Sequence, residues 1–266
     1  MEMVSASKMR GAQSQALASR FYSRKLDDIL RKIASRINTD YHPLLKAQSD
    51  TRDVAIMILS TDKGQTGSLN TNLFKSVYSF QKDHHADVYT LGKKAKEFSI
   101  KSGFNLIADF GKVPDKITYD LAVPIANMLI KEFLAGKYSK VYLAYMDFIS
   151  TLTQKPRLIE LLPIQKEFSE IEETASTGES KEYLFEPTPQ AILNWLLPYF
   201  VELTVYQSLL EARASEHSAR MVAMKNASEN ATELVDHLQL IFNRSRQSSI
   251  TSELLDITTA SLTLAT

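Results

Sequence analysis

The chain has 266 residues, 44% of them hydrophobic and 23% charged, enough for one or two domains with a real core and too apolar for wholesale disorder. It has no cysteine, which excludes disulfides, thiol nucleophiles and cysteine-ligated metals, and a formal net charge of +0, which argues against general nucleic-acid binding. No stretch reaches the ~20 apolar residues of a membrane-spanning helix, and the N-terminus has no apolar signal core. The charge is uneven. Residues 1–46 hold nine Lys/Arg against four Asp/Glu, and residues 160–186 hold eight Glu against two Lys. Such a basic end and acidic middle suit charged partners met at defined places, or two solvated faces.

Residues 1–42 contain no Pro and only Gly11, and are expected to form a helix ending near Tyr41-His42-Pro43. Leu17, Phe21, Ile29, Ile33 and Ile37 fall at helical spacing on it. From 51 to 163 the pattern changes. Val54–Leu59, Ala86–Leu91, Phe104–Phe110 and Val141–Phe148 predict strands, with helices over Asn70–Lys82, Lys93–Ser102 and Asp120–Ala135 between them. This alternation implies a largely parallel sheet. Residues 164–187 form an acidic connection. Thr188 and Pro189 mark the start of a second long helix, with a bend expected at Pro198. Residues 199–266 then run without Gly or Pro, long enough as a helix to reach about 100 Å. Helices of that length need a partner along their length. Leu203, Leu210, Met221, Met224, Leu234, Leu238, Ile241 and Ile250 on the second helix, with small residues such as Ala6, Ala12, Ala16, Ala214 and Ala219, predict an antiparallel coiled coil of the two ends. The expected fold is α/β, a central Rossmann-like domain (51–163) flanked by terminal helices (1–46 and 188–266).

The chemistry-bearing motifs are weak. Asp62-Lys63-Gly64-Gln65-Thr66-Gly67-Ser68 lies between a strand and a helix, where phosphates often bind, but lacks a Gly-Lys-Ser/Thr ending, and a structural turn is the better reading. His84-His85 has no further His or Cys near it in sequence. Glu216 and His217 point about 100° apart on a helix and face no nucleophile, so they are expected at the surface or the seam. The run Glu167, Glu170, Glu172, Glu173 lacks the spacing of a calcium loop. No catalytic residue, metal ligand or cofactor is expected. Arg244 and Arg246 lie far along the second helix among mostly polar neighbours, where guanidinium groups can bond a partner's carboxylates or simply pair with side chains one turn away.

The segments Ala214-Ser215-Glu216-His217-Ser218-Ala219-Arg220-Met221-Val222-Ala223-Met224-Lys225-Asn226-Ala227 and Leu238-Gln239-Leu240-Ile241-Phe242-Asn243-Arg244-Ser245-Arg246-Gln247-Ser248-Ser249-Ile250-Thr251-Ser252-Glu253-Leu254 resemble signatures of the ATP synthase γ family. So do Met1-Glu2-Met3-Val4-Ser5-Ala6-Ser7-Lys8-Met9-Arg10 at the start, Ser60–Asn70 and Phe148–Pro163 in the middle, and Tyr183-Leu184-Phe185-Glu186-Pro187 before the second long helix. There are two departures. The resemblance implies further residues ahead of Met1, so the chain is expected to begin inside the first motif. Gln65-Thr66-Gly67-Ser68 also stands where the family carries a Leu-Cys-Gly-Gly-type run. The cysteine-bearing regulatory insert of the chloroplast form is absent.

The resemblance implies a non-catalytic rotor that transmits rotation between a membrane-embedded, proton-driven c-ring and an α/β hexamer. It implies one copy per complex and contact with the ε subunit through a foot around Tyr41–Leu45 and Thr188–Pro198. The place implied is the cytoplasmic face of a bacterial inner membrane, with no span of its own. Met1, Lys8, Arg220, Arg246, Gln247 and Thr251 are the residues the resemblance sets against the β subunits. Two other classes are weighed. An α/β enzyme with a coiled-coil arm would need a catalytic constellation within 51–163. A structural adaptor would self-associate rather than occur once per six head subunits.

Overall fold

The computed structural model describes residues 2–34, 42–46, 53–164 and 188–264. The chain falls into two compact units, Met1–Met221 and Val222–Thr266.

In the first unit, helix α1 (Glu2–Ala34) precedes strand β1 (Val54–Leu59), α2 (Leu69–His84), β2 (Asp87–Leu91), α3 (Lys93–Lys101), β3 (Leu106–Asp109), α4 (Tyr119–Leu134), β4 (Lys140–Phe148) and β5 (Gln154–Leu162). The last helix, α5 (Pro189–Leu264), begins in the first unit and supplies the whole described part of the second. The sheet order is β3-β2-β1-β4-β5. Four strands are parallel, and β5 runs antiparallel to β4 along the sheet edge.

The central strand explains its own sequence. All six residues of Val-Ala-Ile-Met-Ile-Leu are buried, because both faces of the sheet are covered. Val54, Ile56 and Ile58 join Leu73, Val77 and Ala95 of α2 and α3 in one core. Ala55, Met57 and Leu59 join a second core with Ile125, Leu129 and Phe133 of α4, and with Ala16, Leu26 and Leu30 of α1 and Leu197 and Val201 of α5.

The two long helices meet within this unit and run antiparallel. Gln207 Nε2 donates to Ala16 O at 3.3 Å, and the hydroxyls of Tyr22 and Tyr199 lie 3.1 Å apart. Thr188 caps α5 as expected, its Oγ1 accepting from Ala191 N at 3.3 Å.

Two expectations need correction, and one strand was not foreseen. Leu17, Phe21 and Ile29 do not form the α1 seam; they are exposed (49%, 69% and 49%), while Ala16, Leu26 and Leu30 are buried. Leu26 follows Leu17, and Leu30 follows Phe21, by nine residues, which is two and a half helical turns and hence the opposite face. The small Ala16 lets α5 approach closely, and that side wins. On α5, Leu203 and Leu210 are buried, but Leu234, Leu238, Ile241 and Ile250 are exposed (58%, 54%, 51% and 49%). An apolar stripe declares that a face is to be covered without saying by what. Helix α5 continues through Pro198 without a break. Strand β5 escaped the sequence reading, because Pro156 and its charged neighbours mask it; a proline is tolerated there since β5 is an edge strand. Ile33, Ile37, Tyr41 and the acidic run Glu167–Glu173 lie outside the residues whose side chains are described.

Candidate functional site

The polar chemistry of the first unit concentrates where α5 is enclosed. From Ser208 to Ser218 every residue but Ala212 is buried, including Glu211 (5% exposed), Arg213 (7%), Glu216 (4%) and His217 (5%). Charged residues are rarely that buried unless paired, and two networks supply the pairing.

The first joins α1, β4 and α5. Arg20 donates through Nε to Glu211 Oε1 at 2.8 Å, and through Nη2 to Asp147 Oδ1 at 3.2 Å and Phe148 O at 2.6 Å. Gln207 Nε2 also donates to Glu211 Oε1, at 2.8 Å. Arg157 of β5 lies 3.6 Å from Asp147 Oδ2. Burial, with the Glu211 carboxylate alongside, pushes Asp147 up. Burial acts on Glu211 too, but hydrogen bonds from Gln207 and Arg20 outweigh it and hold Glu211 below the usual range.

The second network is a chain of alternating charge, Lys8–Asp115–Arg213–Glu216–Arg220. Lys8 Nζ is 3.2 Å and Arg213 Nη2 2.7 Å from the Asp115 carboxylate. Glu216 is gripped by Arg213 Nη1 and Arg220 Nη2, each at 2.7 Å. Arg220 also reaches Gly64 O at 3.5 Å. The hydrogen bond from Lys8, then its charge and that of Arg213, keep the Asp115 carboxyl below its ordinary value. His217 beside them is pushed down to about 4, first by burial and then by the Arg213 charge. It is therefore a neutral imidazole near pH 7. Glu216 and His217 are buried members of the interior, not the surface pair expected as one option. Their burial follows from Ser215 Oγ reaching Met146 O of β4 at 2.9 Å, which draws that turn of α5 onto the sheet.

The expected site residues fall into two groups. Lys8 and Arg220 are brought together by the second network. Arg246, Gln247 and Thr251 belong to the second unit and are exposed; Thr251 Oγ1 donates to Gln247 O at 2.8 Å. Met1 lies outside the described residues. Sequence reasoning missed Arg20, Asp115, Asp147, Glu211 and Arg213. The spacing Arg213…Glu216…Arg220 (i, i+3 and i, i+7) signals a charge ladder along one helix face. Nothing in the sequence marks Asp115 as its distant partner.

The weaker motifs are structural. Asp62 accepts from Lys93 N at 3.0 Å and Val113 N at 2.9 Å, and Ser60 Oγ accepts from Ala95 N at 2.7 Å. The first amides of α3 are thus satisfied by the chain's own carboxylate and hydroxyl. His85 caps α2 in a left-handed conformation (φ 47), and the His84 ring packs on Phe80 at 4.4 Å. Among the described residues no three His, Asp or Glu side chains are placed to hold a metal ion.

This geometry, interlocking ion pairs around an enclosed helix, suits mechanical fixation. A family model described as ATP synthase matches residues 1–264. The gamma chain of Pelotomaculum thermopropionicum is 38% identical over 259 residues, covering 97% of this chain and 89% of that one. That of Roseiflexus castenholzii is 39% identical over 271 residues, covering 100% and 91%. The chain belongs to the ATP synthase gamma chain family. As a gamma chain it is the non-catalytic rotor subunit of an F-type ATP synthase and part of its stalk. Solved structures share the fold. A chain of the Tetrahymena thermophila mitochondrial ATP synthase central stalk and c-ring superposes with a TM-score of 0.64 at 22% identity, over 86% of this chain and 97% of that one. One from the Euglena gracilis mitochondrial enzyme gives 0.61 at 18% identity, over 99% and 94%. Among the described residues no helix of this gamma chain is long and apolar enough to cross a membrane.

Proposed function

We propose that this gamma chain transmits rotation between a proton-driven c-ring and a catalytic α/β hexamer, present once per complex, and so regulates ATP hydrolysis and proton flow. Its place is the cytoplasmic face of a bacterial inner membrane. The observation that carries this reading is the second unit. Its helix exposes Leu234, Val235, Leu238, Leu240, Ile241, Phe242, Leu254, Leu255 and Ile257, each more than half accessible, a surface that calls for a surrounding apolar sleeve. Arg246, Gln247 and Thr251, set in that surface, serve as polar catches to β-subunit carboxylates and loops. Met1, Lys8 and Arg220 complete the β contacts, and Arg220 must share its guanidinium between Glu216 and the partner. The ε subunit and the c-ring take the foot around Tyr41–Leu45 and Thr188–Pro198.

The test is co-expression with the native α and β subunits and assay of ATP hydrolysis in the purified complex. One copy per six head subunits is expected. Arg246→Ala and Gln247→Ala should each lower turnover about fivefold to tenfold, the scale of one lost charge-assisted contact. A chain that self-associates and stays outside the hexamer would instead be an adaptor.

A further inference from the structure

The outer faces of α2 and α3 form a groove that neither network uses. Thr71, Phe74, Lys75, Tyr78, Ser79 and Lys82 line it from α2, with Phe98 of α3 opposite, around a cavity of about 440 Å³. Their spacing places them on one helix face over three turns, a groove about 16 Å long. The floor is aromatic: the Phe74 and Phe98 rings stack at 4.3 Å, and Phe98 meets Phe104 edge-on at 5.5 Å. Tyr78 (47%) remains exposed along it.

The charge around this floor is one-sided. Three of the four α3 lysines have acidic partners: Lys93 and Lys94 pair with Glu97, and Lys96 with Asp109. Lys75 and Lys82, on the rim, are in no ion pair among the described residues, and Lys82 lies over the Tyr78 ring at 5.1 Å. An apolar floor bordered along α2 by two unpaired cations two helical turns apart selects an apolar ridge edged by carboxylates at matching spacing. We infer that this groove docks an acidic amphipathic helix of a partner subunit, laid along α2 with apolar residues at three- and four-residue spacing over the aromatic floor. A concave groove with only two flanking cations is a poor match for a flat anionic bilayer. A nucleotide would need free backbone amides, and those opening α3 are bonded to Asp62 and Ser60. The inference goes beyond the rotor reading, and the test separates the two.

Tyr78 is replaced by the photo-cross-linker benzoylphenylalanine in the assembled ATP synthase, and the cross-linked peptide is mapped by mass spectrometry. The expected product joins Tyr78 to a partner's helix with Asp or Glu flanking its apolar stripe. Lys75→Glu with Lys82→Glu, both at exposed positions that leave the core intact, should lower the yield about tenfold. Glu→Lys or Asp→Lys changes on the captured helix should restore it. A cross-link confined to this chain or to lipid, no cross-link, or a yield indifferent to charge reversal overturns the groove while leaving the rotor intact. Absence of this chain from the purified complex overturns both.

Discussion

Arg20 ties three elements through one guanidinium, and its removal takes the cation from Glu211 and leaves Asp147 only the longer contact to Arg157. Arg20→Ala leaves Glu211, 5% exposed and with Oε2 already lacking a hydrogen-bond partner, beside Asp147 without a cation between them. Breaking a buried pair from one side costs about 3 kcal/mol. Thermal unfolding should therefore begin roughly 6–12 °C lower, and Arg20→Lys, which cannot fork to both acids, should recover only part of the loss. His217 makes a pH prediction at the same scale. Its folded value of about 4 lies below the ordinary 6.5. As pH falls below about 6.5 the unfolded chain takes up a proton that the folded chain refuses until about 4. Stability therefore drops across that window by roughly 3 kcal/mol and levels off below it. His217→Gln should flatten this limb in urea titrations between pH 6.5 and 4, while carboxylate-driven losses below pH 4 persist.

Among elements, the junction of β1, α3 and the strands beside them is held by small groups at close quarters. Gly92 sits at φ 101, and a Cβ there would lie 2.3 Å from Ser60 O, a backbone atom that cannot swing away. Gly92→Ala should therefore cost more than about 2 kcal/mol in denaturant melts, from positive φ and collision together. Asp62→Ala should cost about 2 kcal/mol by releasing the Lys93 and Val113 amides. This Asp62 role was only half legible. The strand-turn-helix position of Asp62–Ser68 was plain, but that its carboxylate caps a different helix depends on β2 lying beside β1. Legibility tracked burial on both faces. Val54–Leu59 is uniformly apolar and was readable to the residue. Edge strand β5 carries Lys155, Pro156 and Arg157, which break the apolar pattern of a strand. On α1 two apolar faces competed, and the side with Ala16 could be chosen only once α5 was beside it.

For the molecule as a whole, the first unit contains both cores, so a chain ending at Met221 should fold alone. Its melting midpoint, followed by circular dichroism, should match that of the full chain within about 2 °C, because the removed helix adds no core contact of its own. The family was legible from motifs strung along the sequence. The interlock was not, because Lys8, Asp115 and Arg213 are remote in sequence and meet only through the fold. That interlock has a mechanical meaning. Successive residues of an enclosed helix point about 100° apart, and around Ser208–Ser218 the anchors go in several directions: Glu211 to α1, Arg213 to the loop before α4, Ser215 to the backbone of β4. Turning this stretch about its own axis would rupture all of them together. Like a splined axle seated in its hub, it passes twist to the sheet without slip.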